Sequence, residues 1–195
     1  MQDKIEINPD KAFKRSVLVV TAFAAYLTPF LGSAVNLALP SIGKDLNASA
    51  IGLGWIMSSF ILSSAVFLVP FGRLADIAGR KKIFTAGLGL FTVSALLIVF
   101  AWNMASMIAF RIIQGIAGAM IFGTSMAIIT SVFPAGERGR AMGINVTAVY
   151  LGLSTGPIIG GLLTESFGWS SLFAFLVPFF IAAIILLTTL RKKEW

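Results

Sequence analysis

The stretch Gly72-Arg73-Leu74-Ala75-Asp76-Ile77-Ala78-Gly79-Arg80-Lys81-Lys82 decides how the rest of the chain is read. It holds four cations, one acid and two glycines between long apolar runs at 51–71 and 83–102. A bilayer crossing needs about 20 mostly apolar residues, because a hydrocarbon core roughly 30 Å thick is spanned at about 1.5 Å per helical residue. Both flanks meet that length. The quoted stretch therefore reads as a short basic connection between two membrane-spanning helices.

Working outward, the same test finds spans at 16–39, 104–132, 141–163 and 170–190, six in all. The other connections rich in charge or in Pro and Gly are 40–50 and 133–140. No soluble domain or long linker fits between them. Composition agrees: the 195 residues are 57% hydrophobic and 12% charged, against about 25% charged in an average soluble domain. Residues 1–15 form a polar arm. The apolar run that follows is too long for the core of a signal peptide and has no small-residue cleavage site after it, so span 1 is expected to be retained. Residues 191–195 form a short tail.

Cysteine and histidine are both absent. That excludes disulfide frameworks, Cys/His metal sites, thiol nucleophiles and any histidine general base. No Asp or Glu falls within the six spans. The expectation is a protein that is no enzyme and takes no cofactor and no metal.

The net charge is +7, and its distribution assigns it to topology rather than to nucleic acid. Thirteen of the fifteen basic residues fall on one side of the six spans. They are Lys4, Lys11, Lys14 and Arg15 in the arm, Arg73, Arg80, Lys81 and Lys82 in the 2/3 connection, Arg138 and Arg140 in the 4/5 connection, and Arg191, Lys192 and Lys193 in the tail. Lys44 stands alone on the other side, and Arg111 lies inside span 4. Cytoplasmic connections keep Lys and Arg, so both termini are expected in the cytoplasm of a multi-pass cell-membrane protein that contacts lipid and no nucleic acid.

Eighty-nine residues after Gly72 comes Gly161-Leu162-Leu163-Thr164-Glu165-Ser166-Phe167-Gly168, with the same Gly-x-Leu-x-acid-x-x-Gly spacing. The first copy lies between spans 2 and 3, the second between spans 5 and 6. The chain thus divides into two three-span repeats, about 16–102 and 104–190. Three is odd, so the repeats face opposite ways across the membrane. Inverted repeats are frequent in secondary transporters, which bind solute near the bilayer midplane.

These residues resemble the major facilitator superfamily. Gly72 to Lys82 is similar to its 2/3-loop signature GxLaDrxGrkr, and Arg111-Ile112-Ile113-Gln114-Gly115-Ile116-Ala117-Gly118-Ala119 to its span 4 signature RxxqGxgaa. In span 5, Gly143, Gly152, Gly156, Pro157, Gly160 and Gly161 fit G(x)8G(x)3GP(x)2GG, the antiporter motif of drug/proton exchangers. Val35-Asn36-Leu37-Ala38-Leu39-Pro40 resembles the end of span 1 in the fourteen-span drug/proton antiporter branch. The resemblance covers the N-terminal six-helix half of that fold. It implies an all-α membrane protein: a six-transmembrane-helix bundle of two inverted three-helix repeats, half of a major-facilitator fold.

Each motif also has a physical reading. The two glycines of the 2/3 connection permit a tight turn and close helix approach. The family assigns Asp76 a cationic partner, Arg80 or Arg140, and a helix N-terminus of the opposite half, contacts that hold one conformation closed. A mid-span arginine costs about 2.5 to 3.5 kcal/mol to insert. Arg111 therefore either snorkels to the headgroups or turns inward, with Gln114 three residues on along nearly the same face. In proton-coupled relatives the matching arginine is linked to proton binding. The span 5 glycines make a close-packing surface, which the resemblance sets against the other half, with a kink at Pro157. An exposed surface of that kind predicts association. The antiporter branch places an acid in span 1 where this chain has Leu31. A proton-carrying carboxylate then belongs to another segment, or coupling takes another route, or transport proceeds without protons.

With spans 1, 2, 4 and 5 around a cavity, the candidate polar contacts are Asn36, Ser59, Ser63, Gln114, Asn145 and Tyr150, among Tyr26, Phe30, Trp55 and Phe60. A wall so poor in charge suits amphiphilic organic solutes. The expected function is half of a drug or solute efflux transporter working by alternating access, its second six-helix half a self-copy or a C-terminal half. The alternative is a non-transporting membrane scaffold, a dimerisation partner or a passive channel.

Overall fold

The computed structural model describes residues 11–189, all but a few of them in six α-helices. These are α1 (Lys11–Asp45), α2 (Ala50–Ala78), α3 (Arg80–Val99), α4 (Met104–Val132), α5 (Ala135–Phe167) and α6 (Ser170–Thr189). All six are long and apolar enough to cross a membrane. The start of the expected arm, with Lys4, and the tail with Arg191, Lys192 and Lys193 lie outside the described residues.

The helices outrun the spans read from hydropathy. At 35 and 33 residues, α1 and α5 are each about 50 Å long. Of the connection expected over 72–82 only Gly79 is non-helical, 133–140 shrinks to Phe133 and Pro134, and 40–50 shrinks to residues 46–49. Hydropathy reports depth in the bilayer, whereas a helix ends where its backbone is capped or turned. Gly79 turns it at φ 104°, a region that side-chain-bearing residues rarely enter. Ser49 accepts from the Gly52 amide at the start of α2, and Asn103 with Ser106 forms a reciprocal cap at the start of α4. The expectation that Gly72 shares in the turn is corrected: it lies within α2, where a Cβ would meet nothing within 4 Å.

Contacts fix the direction of packing. Lys14 pairs with Glu137, Tyr26 with Thr155, and Ala34 stands against Gly160, so α1 and α5 run side by side in the same sense. Ile56 meets Arg111, Ser63 meets Gly115 and Leu68 meets Gly123, so α2 and α4 do likewise. The second helix of each repeat therefore packs on the first helix of the other. The 89-residue offset carries one seam onto the other. Ser63 and Gly115 correspond to Gly152 and Tyr26, and at both pairs a Cβ on the glycine would strike the facing helix. Gly79 and Gly168, also 89 apart, both have positive φ and end the second helix of their repeats.

Helices α1 and α4 form the centre, 56% and 61% buried over a membrane-length stretch, while α2 and α5 are only 17% buried. Behind the centre α3 meets α4 and α6, with the Phe91 and Phe180 rings 4.7 Å apart. The uncovered sides of α2 and α5 are what the fold leaves available.

Candidate functional site

At the end of the bundle where α1 begins and α2 ends, the Asp76 carboxylate accepts from Arg80 Nε at 3.1 Å and Nη2 at 2.9 Å. Arg80 Nη1 also donates to the Ala127 carbonyl of α4 at 2.8 Å. Arg80 thus ties the α2–α3 turn to a third helix, which sequence reading had not foreseen. Of the two cations offered for Asp76, the structure brings Arg80 to it. Arg140 lies exposed on the second turn of α5, and Arg138 donates to the Phe133 carbonyl at 2.9 Å. The Lys14–Glu137 pair at 3.1 Å joins the starts of α1 and α5.

Deeper in, Arg111 is 1% exposed. The inward orientation holds, and snorkelling does not. Its Nε donates to the Ile56 carbonyl at 3.0 Å, Nη1 to Gln114 Oε1 at 2.7 Å, and Nη2 approaches Met57 Sδ at 3.7 Å. Its guanidinium carbon lies 4.8 Å from the Phe60 ring centroid, within cation–π range. A planar fork of five donors suits such a site, because it engages backbone, amide and ring together. The i, i+3 spacing made Gln114 legible. Ile56, Met57 and Phe60 lie on another helix; the sequence named Phe60 only as part of a cavity wall, and Ile56 and Met57 carried no signal.

The other cavity candidates divide. Asn36 and Tyr150 are exposed, Trp55 is half exposed, and Tyr26 is partly exposed, its hydroxyl 2.9 Å from Thr155 Oγ1. Thr155 was missed, having no motif to mark it. Ser59, Ser63, Gln114 and Asn145 are buried between helices instead of lining an open wall. Ser63 donates to the Ser59 carbonyl at 2.7 Å, while Ser59 Oγ, Gln114 Nε2 and Asn145 Nδ2 have no partner among the described residues. Beside Phe60 an open apolar groove of about 290 Å³ lies between α2 and α4, walled by Ile61, Ala65, Leu68 and Phe122.

The span 5 motif splits across its helix. Gly152, Gly156 and Gly160 are buried against Tyr26, Phe30, Ser33 and Ala34 of α1, so the expected exposed glycine surface is corrected at these three positions. Gly143 has open space around it, Gly161 meets only Leu37, and Pro157 is half buried. Leu31, where the antiporter branch has an acid, is 1% exposed in the core.

Among the described residues the acids are Asp45, Asp76, Glu137 and Glu165, each within a turn or so of a helix end. Asp45, at the far end of α1, accepts from Trp169 Nε1 at 3.0 Å.

A family model described as the Major Facilitator Superfamily matches residues 20–194. The chain is 31% identical over 170 residues to the riboflavin transporter RibZ of Clostridioides difficile, covering 87% of this chain and 37% of that protein. It is 34% identical to the multidrug resistance protein Stp of Mycobacterium tuberculosis, covering 91% of this chain and 33% of that one. It is also 34% identical to the cephamycin export protein CmcT of Amycolatopsis lactamdurans, covering 92% and 38%. The chain thus spans between a third and two-fifths of the length of these relatives. Among solved structures, a bacterial homologue of the human lysosomal transporter Spinster, inward-facing and unoccupied, superposes with a TM-score of 0.78 at 19% identity, over 95% of this chain and 44% of that one.

Proposed function

Because the chain belongs to the Major Facilitator Superfamily, we propose that it is one six-helix half of a secondary transporter that exports amphiphilic organic solutes by alternating access. The observation that carries this reading is the contrast between a tightly locked centre and two uncovered flanking helices. Glycine contacts at Gly115, Gly152, Gly156 and Gly160 bind α1 to α5 and α2 to α4, so the half moves as a body. The outer sides of α2 and α5 are apolar and bare, which supports a second half, a self-copy or a C-terminal half, seated there.

In this reading the end bearing Asp76 is cytoplasmic, as its excess of basic residues favours. Asp76, held in place by Arg80, closes that end against the second half, and Gly79 supplies the turn that aims it. Arg140, free of the Asp76 pair, is placed on α5 to meet the opposite half. Arg111 and Gln114, buried between helices, lie behind a pathway whose exposed walls carry Asn36, Tyr26 and Tyr150, with Pro157 shaping α5. The multidrug and cephamycin export relatives support an organic substrate. This half brings no carboxylate to the membrane interior, so any proton carrier sits in the other half.

The test is extrusion of a fluorescent lipophilic cation from cells and proteoliposomes, with and without a pH gradient. Extrusion that is lost in Asp76→Asn supports the reading. A membrane protein that moves no solute and is indifferent to Asp76→Asn is a scaffold.

A further inference from the structure

The bare sides of α2 and α5 match residue by residue. Residues spaced three, four and seven apart share one side of a helix. On α2 such a stripe runs through Leu62 and Val69 to Asp76, and on α5 through Leu151 and Ile158 to Glu165. Every member of the first stands 89 residues before its counterpart. Exposure matches as well: 56% and 53% for Leu62 and Leu151, 66% and 68% for Val69 and Ile158. Both stripes are mostly apolar along the membrane, the α5 one carrying the small Ser154 between Leu151 and Ile158, and both finish in an exposed acid, at opposite ends of the bundle.

The acids differ in one respect. Asp76 is ion-paired with Arg80. The position equivalent to Arg80 is Trp169, which carries no charge and donates to Asp45. Arg80 opens α3 and Trp169 immediately precedes α6, each directly after a positive-φ glycine, and both reach the first helix of the other repeat. Glu165 is thereby left with no ion pair among the described residues. Its stripe, like that of Asp76, is nonetheless one that a second half would cover.

We propose that Glu165 closes the end opposite Asp76, its carboxylate docking on the positive start of a helix in the second half. This rests on the two-half reading above. Each acid stands 14 residues, about 21 Å of helix, beyond the leucine of its stripe, and the two lie at opposite ends of the bundle, so a rocking motion that seats one unseats the other. Asp76 then holds the cytoplasmic side shut and Glu165 the external side.

The chain has no cysteine, so single reporters need no background removal. Ile158→Cys reports the Glu165 end, and its counterpart Val69→Cys the Asp76 end. Each is labelled by a membrane-impermeant maleimide in right-side-out and inverted vesicles from the producing cells. Glu165→Gln is expected to raise labelling of Ile158→Cys and lower that of Val69→Cys by about fivefold or more. Asp76→Asn does the reverse, and Glu165→Asp keeps the wild-type pattern. If Asp76→Asn moves the reporters and Glu165→Gln leaves both unchanged, Glu165 has no such role and the two-half reading stands. If neither reporter labels in any variant, as expected of thiols left facing lipid, there is no second half and both ideas fall.

Discussion

Arg111 occupies a position where charge is expensive and contacts are many. Inserting a central arginine costs about 2.5 to 3.5 kcal/mol, against hydrogen bonds to a charged group worth about 1.5 to 3 kcal/mol each. Two such bonds, about 3 to 6 kcal/mol together, at least offset that cost, so a test has to separate a structural role from one in transport. Replacing only Arg111 would strand Gln114, whose Oε1 loses its donor while Nε2 already has no partner. The double variant Arg111→Leu/Gln114→Leu removes both groups with little change in volume, and buried polar clusters replaced in this way are often neutral or more stable. It is expected to unfold in detergent no earlier than wild type, while solute extrusion falls at least about tenfold. A loss of about 2 kcal/mol or more in stability would make the pair structural. The cost of insertion singled out Arg111 in the sequence but left snorkelling and an inward turn both open. Its α2 partners were not legible, because a carbonyl at Ile56 and a ring at Phe60 are placed by helix crossing and by nothing local.

Helix α5 shows how far a motif can be read as an element. Six matched positions suggested one continuous surface, yet the helical period of 3.6 already separates them. Gly152, Gly156 and Gly160 recur every four residues along one side, whereas Gly143 and Gly161 fall on the other. A Cβ at Gly152 would meet the Tyr26 carbonyl, and at Gly156 it would lie 2.6 Å from the Phe30 carbonyl. Gly152→Ala is expected to push α1 and α5 apart and lower stability by about 1 to 3 kcal/mol. Gly143→Ala, in the same helix with open space around it, removes only the helix penalty of glycine and is expected to raise stability by up to about 1 kcal/mol. Thermal unfolding of the two in one detergent compares them directly, and equal effects would discard the contact argument. Gly79→Ala meets a third cost. Its φ of 104° lies where a non-glycine residue is strained by about 1 to 3 kcal/mol, and the strain falls on the turn that positions Asp76. Reduced extrusion with little change in folding yield is the expected result. These turns were legible as places, since glycine and charge mark them, but their extent was not. A helix carries on through charged residues once it has left the bilayer.

At the scale of the bundle, the six helices form a pair of repeats whose α2 and α5 sides are left uncovered. Its central helices are covered by neighbours on most sides, and its core aromatics close the back against α3 and α6. What remains open are two stripes related by the same 89-residue offset that relates the seams. The two bare stripes of one copy, facing those of another across a two-fold axis along the membrane normal, would form an isologous interface. In a bilayer the hydrophobic effect gives no drive to cover them, so association depends on shape and close packing. The chain produced alone and placed in nanodiscs is therefore expected to run as a pair of 20.8 kDa chains. Ser154→Trp puts a large ring in the middle of the α5 stripe, where the wild-type side chain is small and exposed. It is expected to weaken the pair at least about tenfold, since overpacking a close interface costs about 1 to 3 kcal/mol. Val93→Trp, at a 51% exposed position on α3 away from both stripes, is expected to leave the pair intact. Mass measurement of single nanodiscs reads both variants. A wild-type chain that remains monomeric at high loading excludes a self-copy as the second half and assigns the stripes to a different six-helix partner. A pair broken equally by the two substitutions would place the contact outside α2 and α5.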